Sequence, residues 1–146
     1  MNLRAAEQGD LEAIMGIQTA TFERDAWQRR TIAQELRSRV NRYFVSTDGE
    51  TIVGYAGARI AGCEADVQTI AIADSHRGQG RGRAMMEKLM DAARAEGALQ
   101  MFLEVRADNP VAIELYESLG FERVDVRHGY YQPDGVDAVV MMKEPL

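Results

Sequence analysis

Apolar and polar residues recur along this chain with two different periods, and the switches between them mark out its elements. Residues 2–7 read as a short first strand. Asp10 then sits as an N-cap ahead of an amphipathic helix through Phe22, with Leu11, Ile14, Met15 and Gln18 at helical spacing. A second helix is predicted from Thr31, where Gln34 completes a capping-box spacing. Ile32, Leu36 and Val40 supply its apolar positions, and it ends before Tyr43. Residues 43–47 and 51–61 flank Asp48-Gly49, a tight-turn pair that makes them an antiparallel hairpin, and residues 65–73 form a third β segment.

Helical spacing returns over residues 81–96. Met85, Leu89 and Ala92 lie on one face beside Met86, Met90 and Ala93, and Gly97 terminates the run. Residues 99–105 alternate strictly, with Leu99, Met101, Leu103 and Val105 on one side of a strand and Gln100, Phe102 and Glu104 on the other. Asn109-Pro110 opens another helix whose face is built from Ala112, Leu115, Tyr116 and Leu119 before Gly120 stops it. Residues 121–127 and 136–143 finish as strands. No internal repeat, low-complexity tract or linker-like break interrupts this order, so the pattern predicts one mixed α+β domain spanning residues 1–146.

Composition narrows the class. A chain of 146 residues with 46% hydrophobic and 27% charged residues is long enough, and mixed enough, to bury a core without staples. Arg4, Glu7 and Asp10 fall where a secretion signal needs an unbroken apolar stretch, and no apolar run approaches the roughly 20 residues that cross a bilayer. The lone Cys63 forms no internal disulfide. The expectation is a cytoplasmic protein with no membrane partner. A net charge of −6 argues against nucleic acid as a partner and suits a basic one. Cys63, His76 and His128 offer no zinc-ligand spacing, and nothing beside Cys63 would activate it as a nucleophile, so neither a metal nor an acyl-enzyme is expected.

The first chemistry-bearing segment runs from Ile70 through Asp74-Ser75-His76-Arg77-Gly78-Gln79-Gly80-Arg81-Gly82-Arg83. Three glycines let the backbone approach a ligand and aim several N–H groups at one point, while the helix start behind them adds partial positive charge. Arg77, Arg81 and Arg83 add full charges. The same composition also suits a solvated turn, but the position between a strand and a well-formed helix favours an anion cradle. It is neither a Walker loop, which needs Gly-Lys-Ser/Thr, nor the dinucleotide fingerprint, whose third glycine follows two spacers. The pattern present is Arg77-x-x-Gly80-x-Gly82, and with it the sequence resembles the GCN5-related N-acetyltransferase (GNAT) superfamily. That resemblance implies a single central, mostly antiparallel mixed sheet flanked by about four helices, with a splayed strand pair forming an acetyl-CoA cleft. It also implies that residues 77–83 hold the pyrophosphate and that the backbone of Ile70, Ala71 and Ile72 lies along the pantetheine arm, with N–H groups near Ile72 serving an oxyanion.

The second segment is Leu103-Glu104-Val105-Arg106-Ala107-Asp108-Asn109-Pro110, continuing to Leu115-Tyr116-Glu117-Ser118-Leu119-Gly120-Phe121. An acid in a strand otherwise made of Met101, Phe102, Leu103 and Val105 risks losing solvation, which raises a carboxyl pKa and suits a general base. Alternation alone equally allows Glu104 to face solvent or pair with Arg106. Tyr116, on the apolar face of its helix, reads by spacing alone as a packed aromatic with its hydroxyl at the rim.

The run 103–121, together with His128-Gly129-Tyr130-Tyr131 and Asp137-Ala138-Val139-Val140-Met141, resembles the ribosomal-protein alanine N-acetyltransferases of that superfamily. The resemblance implies Glu104 as base and Tyr116 as acid, Asn109 as a cofactor contact, and Trp27, Tyr130 and Tyr131 as acceptor contacts, the tyrosines on a hairpin loop. Ala26 precedes Trp27 where that pattern usually has proline. The implied acceptor is the N-terminal alanine of a basic ribosomal protein, and the implied state a monomer or weak dimer. Three readings remain beside it: a small-molecule amine or lysine side-chain acetyltransferase, a non-catalytic acetyl-CoA sensor, and a nucleic-acid module using the arginine-rich loop.

Overall fold

In the computed structural model, which describes residues 2–23 and 26–146, chain order is β1 (Asn2–Ala5), α1 (Leu11–Phe22), α2 (Arg29–Arg37), β2 (Asn41–Asp48), β3 (Thr51–Ala61) and β4 (Glu64–Ile72). There follow α3 (Arg81–Ala95), β5 (Gln100–Arg106), α4 (Pro110–Ser118), β6 (Glu122–Tyr131) and β7 (Val136–Lys143). The strands make one sheet in the order β1-β2-β3-β4-β5-β7-β6. Every neighbouring pair is antiparallel except β4 and β5, which run parallel. The expected mixed sheet with four helices is therefore the fold.

Two apolar layers hold it. On one face, Met85, Met86, Leu89 and Met90 of α3 pack with Met101, Leu103 and Val105 of β5 and with Ile113 and Tyr116 of α4. On the other, Ile14 and Ile17 of α1 and Ile32 of α2 cover Tyr43, Val45 and Tyr55. Helices on both faces of a sheet bury both sides of each central strand, which is why β3 reads as a nearly continuous buried run from Val53 to Ala58.

Local chemistry sets the boundaries. Gly49 takes φ 61 in the turn between β2 and β3, Gly97 takes φ 94 after α3, and Pro110 starts α4 behind an Asn109 cap that accepts from Ala112 N at 3.2 Å. Asp10 behaves differently from the expected cap. Its carboxylate turns back, taking two hydrogen bonds from Arg4 at 2.8 and 2.9 Å and one from Glu7 N at 2.8 Å, so it ties β1 to the turn before α1. The second helix is shorter than predicted and starts earlier: it ends at Arg37, and Val40 lies exposed beyond it. β6 is longer than predicted, because Tyr131 still pairs with Val136; Tyr130 and Tyr131 sit at the end of the strand and not in the loop.

Candidate active site

The sheet opens at its only parallel junction. β4 and β5 share three residue pairs, Glu64 with Gln100, Ala65 with Met101 and Asp66 with Phe102, and then separate. The register of β3 against β4 shifts between Gly57 and Ala58, whose partners are Thr69 and Val67, so Gln68 is an extra residue on β4. A bulge bends its strand and increases the local twist. Here it falls two residues beyond Asp66, the β4 member of the last β4–β5 pair, while β5 is committed to β7 as far as Arg106. The resulting cleft holds about 730 Å³.

The cleft collects residues far apart in sequence. Glu104 and Tyr116 both line it, together with Ile70, Asn109, Trp27 and the Tyr130–Tyr131 pair. Glu104 points to the side of β5 opposite Met101, Leu103 and Val105; its side chain is 32% exposed, and its Oε1 lies 3.5 Å from Arg127 Nε. Its partner is thus Arg127 on β6. Arg106 instead pairs with Asp108 and Asp134 at 3.1 and 3.2 Å and stands over the Tyr131 ring at 5.0 Å. The Tyr130 phenol faces Glu104, whose negative charge, with burial and a hydrogen bond adding to it, raises the phenol's pKa.

Tyr116 is held from α4 with its ring edge-to-face on Phe121 at 6.2 Å and is 7% exposed. Burial, with a smaller contribution from Tyr131, pushes its phenol up to about 12. It belongs to the core and also lines the cleft, as a packed aromatic with its hydroxyl at the rim does. Asn109 has its Oδ1 engaged in capping α4, which leaves its NH₂ for the cleft it lines.

The glycine-rich loop leads into α3. Gly78 and Gly80 have φ of 75° and 79°, a region that favours glycine, and a Cβ on either would meet nothing within 4 Å. The backbone is therefore open to a ligand at the point where the first-turn N–H groups of α3 have no carbonyl of their own helix to bind. The arginines divide. Arg77 pairs with Asp74 and donates to Ile72 O at 3.0 Å; Arg83 donates to Ser118 Oγ at 2.5 Å. Arg81 is buried, turned inward to Ser46 Oγ at 2.9 Å and Thr47 O at 3.4 Å, with Gln79 Oε1 at 3.2 Å. Its side chain anchors the loop from inside. His76 adds a second tie, to Asp48 in the β2–β3 turn at 2.9 Å. Ala71 is packed against the α1–α2 layer, and Ile72 against the α3 layer.

Gln18, Asp66 and Arg127 line the cleft without having been singled out from the sequence. Asp66 lies opposite Arg59 and Phe102, and burial, then Glu64, raises its pKa. The available signal was the polar Gln18 on an otherwise apolar helical face. Among the described residues no group of three His, Cys, Asp or Glu side chains is arranged to hold a metal ion, and no helix is long and apolar enough to cross a membrane.

Comparison with known proteins agrees with this geometry. The chain is 40% identical over 124 residues to the N-alpha-acetyltransferase RimI of Mycobacterium tuberculosis, covering 82% of this chain and 77% of that protein. It is 37% identical over 140 residues to an uncharacterised protein of Mycobacterium leprae, of whose length it spans 38%. The crystal structure of the ribosomal-protein-S18-alanine N-acetyltransferase from Escherichia coli superposes with a TM-score of 0.90 at 32% identity, over 99% of this chain and 93% of that one. Residues 11–121 match the Acetyltransferase (GNAT) family. With the parallel junction opened into a cleft and a glycine loop at the head of α3, the chain belongs to the GNAT acetyltransferase family and is an acyltransferase enzyme.

Proposed function

We propose that this protein acetylates an α-amino group with acetyl-CoA as donor, its acceptor being the N-terminal alanine of a basic ribosomal protein. The observation that carries this reading is the cleft between β4 and β5, with Glu104 and Tyr116 on its walls and an aromatic rim of Trp27, Tyr130 and Tyr131. Residues 1–146 act as one domain, as a monomer or weak dimer, in the cytoplasm and without nucleic acid or metal.

The open backbone at Gly78 and Gly80, ahead of the first turn of α3, fits a diphosphate. The β4 edge at Ile70, unpaired on its β5 side, fits the amide-bearing arm of coenzyme A. Bound there, acetyl-CoA supplies the acetyl thioester. An α-amino group with an ordinary pKa of about 8 is mostly protonated at neutral pH, so it needs a base. Glu104 takes that proton, directly or through water. Once the neutral nitrogen has bonded to the acetyl carbon and the carbon–sulfur bond has broken, the nitrogen's surplus proton replaces the one Tyr116 gives to sulfur. Tyr116, like any phenol, is protonated at neutral pH, and burial, which holds it up at about 12, keeps that proton at Oη for the departing sulfur into alkaline solution as well. Arg127 keeps the Glu104 carboxylate oriented.

Glu104→Gln and Tyr116→Phe test these roles. Each should keep calorimetric affinity for coenzyme A while kcat on an alanine-initiated peptide falls by about 10²-fold or more. Normal kcat in both removes the assigned roles. A panel of peptide amino-termini, lysine side chains and polyamines, with products weighed by mass spectrometry, tests the acceptor; modification of a polyamine alone selects the small-molecule reading.

A further inference from the structure

α1 turns Ile14, Ile17 and Gln18 inward, and Gln18 is the polar member, 1% exposed. A buried carboxamide is costly unless its hydrogen bonds are met. Its Oε1 is met: the Tyr55 hydroxyl donates to it at 2.8 Å, and the same hydroxyl lies 3.4 Å from Thr69 Oγ1. Tyr55 is itself 1% exposed, so this arrangement has no freedom to rotate away. The other half of the amide differs. Among the described residues Nε2 has no hydrogen-bond partner, yet no fully enclosed side-chain nitrogen or oxygen is left unpaired. The unpaired nitrogen is therefore not fully enclosed, and the space beside this residue is the cleft, which Gln18 and Thr69 both line.

A fixed, neutral N–H donor selects an acceptor atom. Glu104 and Asp66 are matched in the same cleft by Arg59, Arg106 and Arg127, so an anion would be taken by guanidinium groups and the uncharged amide N–H is left for an uncharged acceptor. A carbonyl oxygen remains. An N-terminal residue carries one on the carbon next to its amine-bearing carbon, whereas a polyamine has none and a lysine side chain has none near its amine. Resting on the function proposed above, we infer that the Gln18 amide binds the first carbonyl oxygen of the acceptor, and thereby restricts the enzyme to amines bearing an α-carbonyl group. Tyr55, acting through Gln18, is a positioning residue. A buried donor left unpaired by a ligand lacking the carbonyl penalises that ligand, which is how such sites reject analogues.

The test is a cycle between enzyme and acceptor. An alanine-initiated peptide is compared with its analogue in which the first peptide bond is a carbon–carbon double bond, which keeps the shape and removes the carbonyl oxygen. Wild-type enzyme should lose about tenfold or more in kcat/KM on the analogue, and Gln18→Met should discriminate by less than about twofold with its affinity for coenzyme A unchanged. Equal discrimination in both enzymes, or none in the wild type, overturns the assignment. If Gln18→Met fails to fold, Tyr55→Phe replaces it in the same cycle, and undiminished discrimination there is equally fatal. Acetylation of neither peptide nor analogue by wild-type enzyme supplied with acetyl-CoA sinks the proposed acceptor class instead.

Discussion

Arg81 Nη1 lies 2.9 Å from Ser46 Oγ, so the first residue of α3 is fastened to β2. The loop proposed to hold the diphosphate is therefore braced from inside. Arg81→Ala should destabilise the fold by about 1.5–3 kcal/mol, the range for a hydrogen bond to a charged group, and weaken coenzyme A binding as well. Arg83→Ala, which loses an exposed contact to Ser118, should change stability by less than about 0.5 kcal/mol. Denaturant midpoints for the two variants check this. An unchanged midpoint for Arg81→Ala would mean that the inward arginine braces nothing.

Buried phenols set an alkaline limit. Tyr55 and Tyr116 have pKa values of about 12, above the ordinary value of about 10 for the unfolded chain. Between those values the unfolded chain releases protons that the folded chain keeps, so stability falls as pH rises through the window. Each phenol contributes up to roughly 2–3 kcal/mol of that loss. Urea midpoints at pH 9 and pH 11 should differ accordingly, and Tyr55→Phe should shrink the difference.

The same shift shapes the rate profile. A catalytic phenol of ordinary pKa would start to deprotonate near pH 9, whereas one near 12 stays protonated. The kcat/KM profile should therefore rise as the acceptor amine loses its proton and then stay level to about pH 10. A decline beginning near pH 9 in wild type that disappears in a variant of Tyr116 would contradict the buried-donor picture.

At acid pH the weak point is the tie between Asp10 and Arg4. The hydrogen bonds from Arg4 hold the Asp10 carboxyl below its usual range against the opposing effect of burial. A lowered folded pKa gives stability that is present above the unfolded value of about 4 and disappears as pH falls through the folded one. Asp10→Asn should cost about 1 kcal/mol at pH 7, discounted because Arg4 is half exposed, and progressively less as pH falls through the folded value. A cost that does not shrink on acidification would place its origin elsewhere.

Gly57 stands opposite Tyr43 across β2 and β3, and a Cβ on Gly57 would lie 2.3 Å from the Tyr43 ring. The ring has no room to yield, since its hydroxyl donates to Glu35 Oε1 at 2.7 Å and the side chain is buried. Gly57→Ala should cost about 1–3 kcal/mol, and Tyr43→Leu in the same chain should recover part of it. A thermal midpoint for Gly57→Ala equal to wild type would show that the pair adapts.

Much of this was legible in the chain because local signals and tertiary structure agree. The alternation over residues 99–105 puts Met101, Leu103 and Val105 inside and Glu104 outside, as found, but Leu99, expected on the inner side, lies exposed ahead of β5. The glycine loop lies between strand and helix as its composition implied. Periodicity failed where long-range contacts decide. Val40 continues a helical stripe, yet α2 stops at Arg37 and the chain turns into β2. Ile113, not Leu115 or Leu119, is the deepest aliphatic residue of α4. The partner of Glu104 comes from β6, 23 residues away, through a pairing that no local spacing encodes. Spacing placed Gln18 on the inward face of its helix but gave it no role, because its hydrogen-bond partner, Tyr55, lies on β3.

The three-pair contact between β4 and β5 leaves two strand margins raw in the interior of one sheet. Such margins are templates for other chains, and proteins usually charge, cover or shorten them. Here they must stay bare to admit a ligand, so the empty enzyme should self-associate on storage more readily than enzyme kept with coenzyme A. Shelf life and catalysis would then be governed by the same short stretch of unmatched backbone.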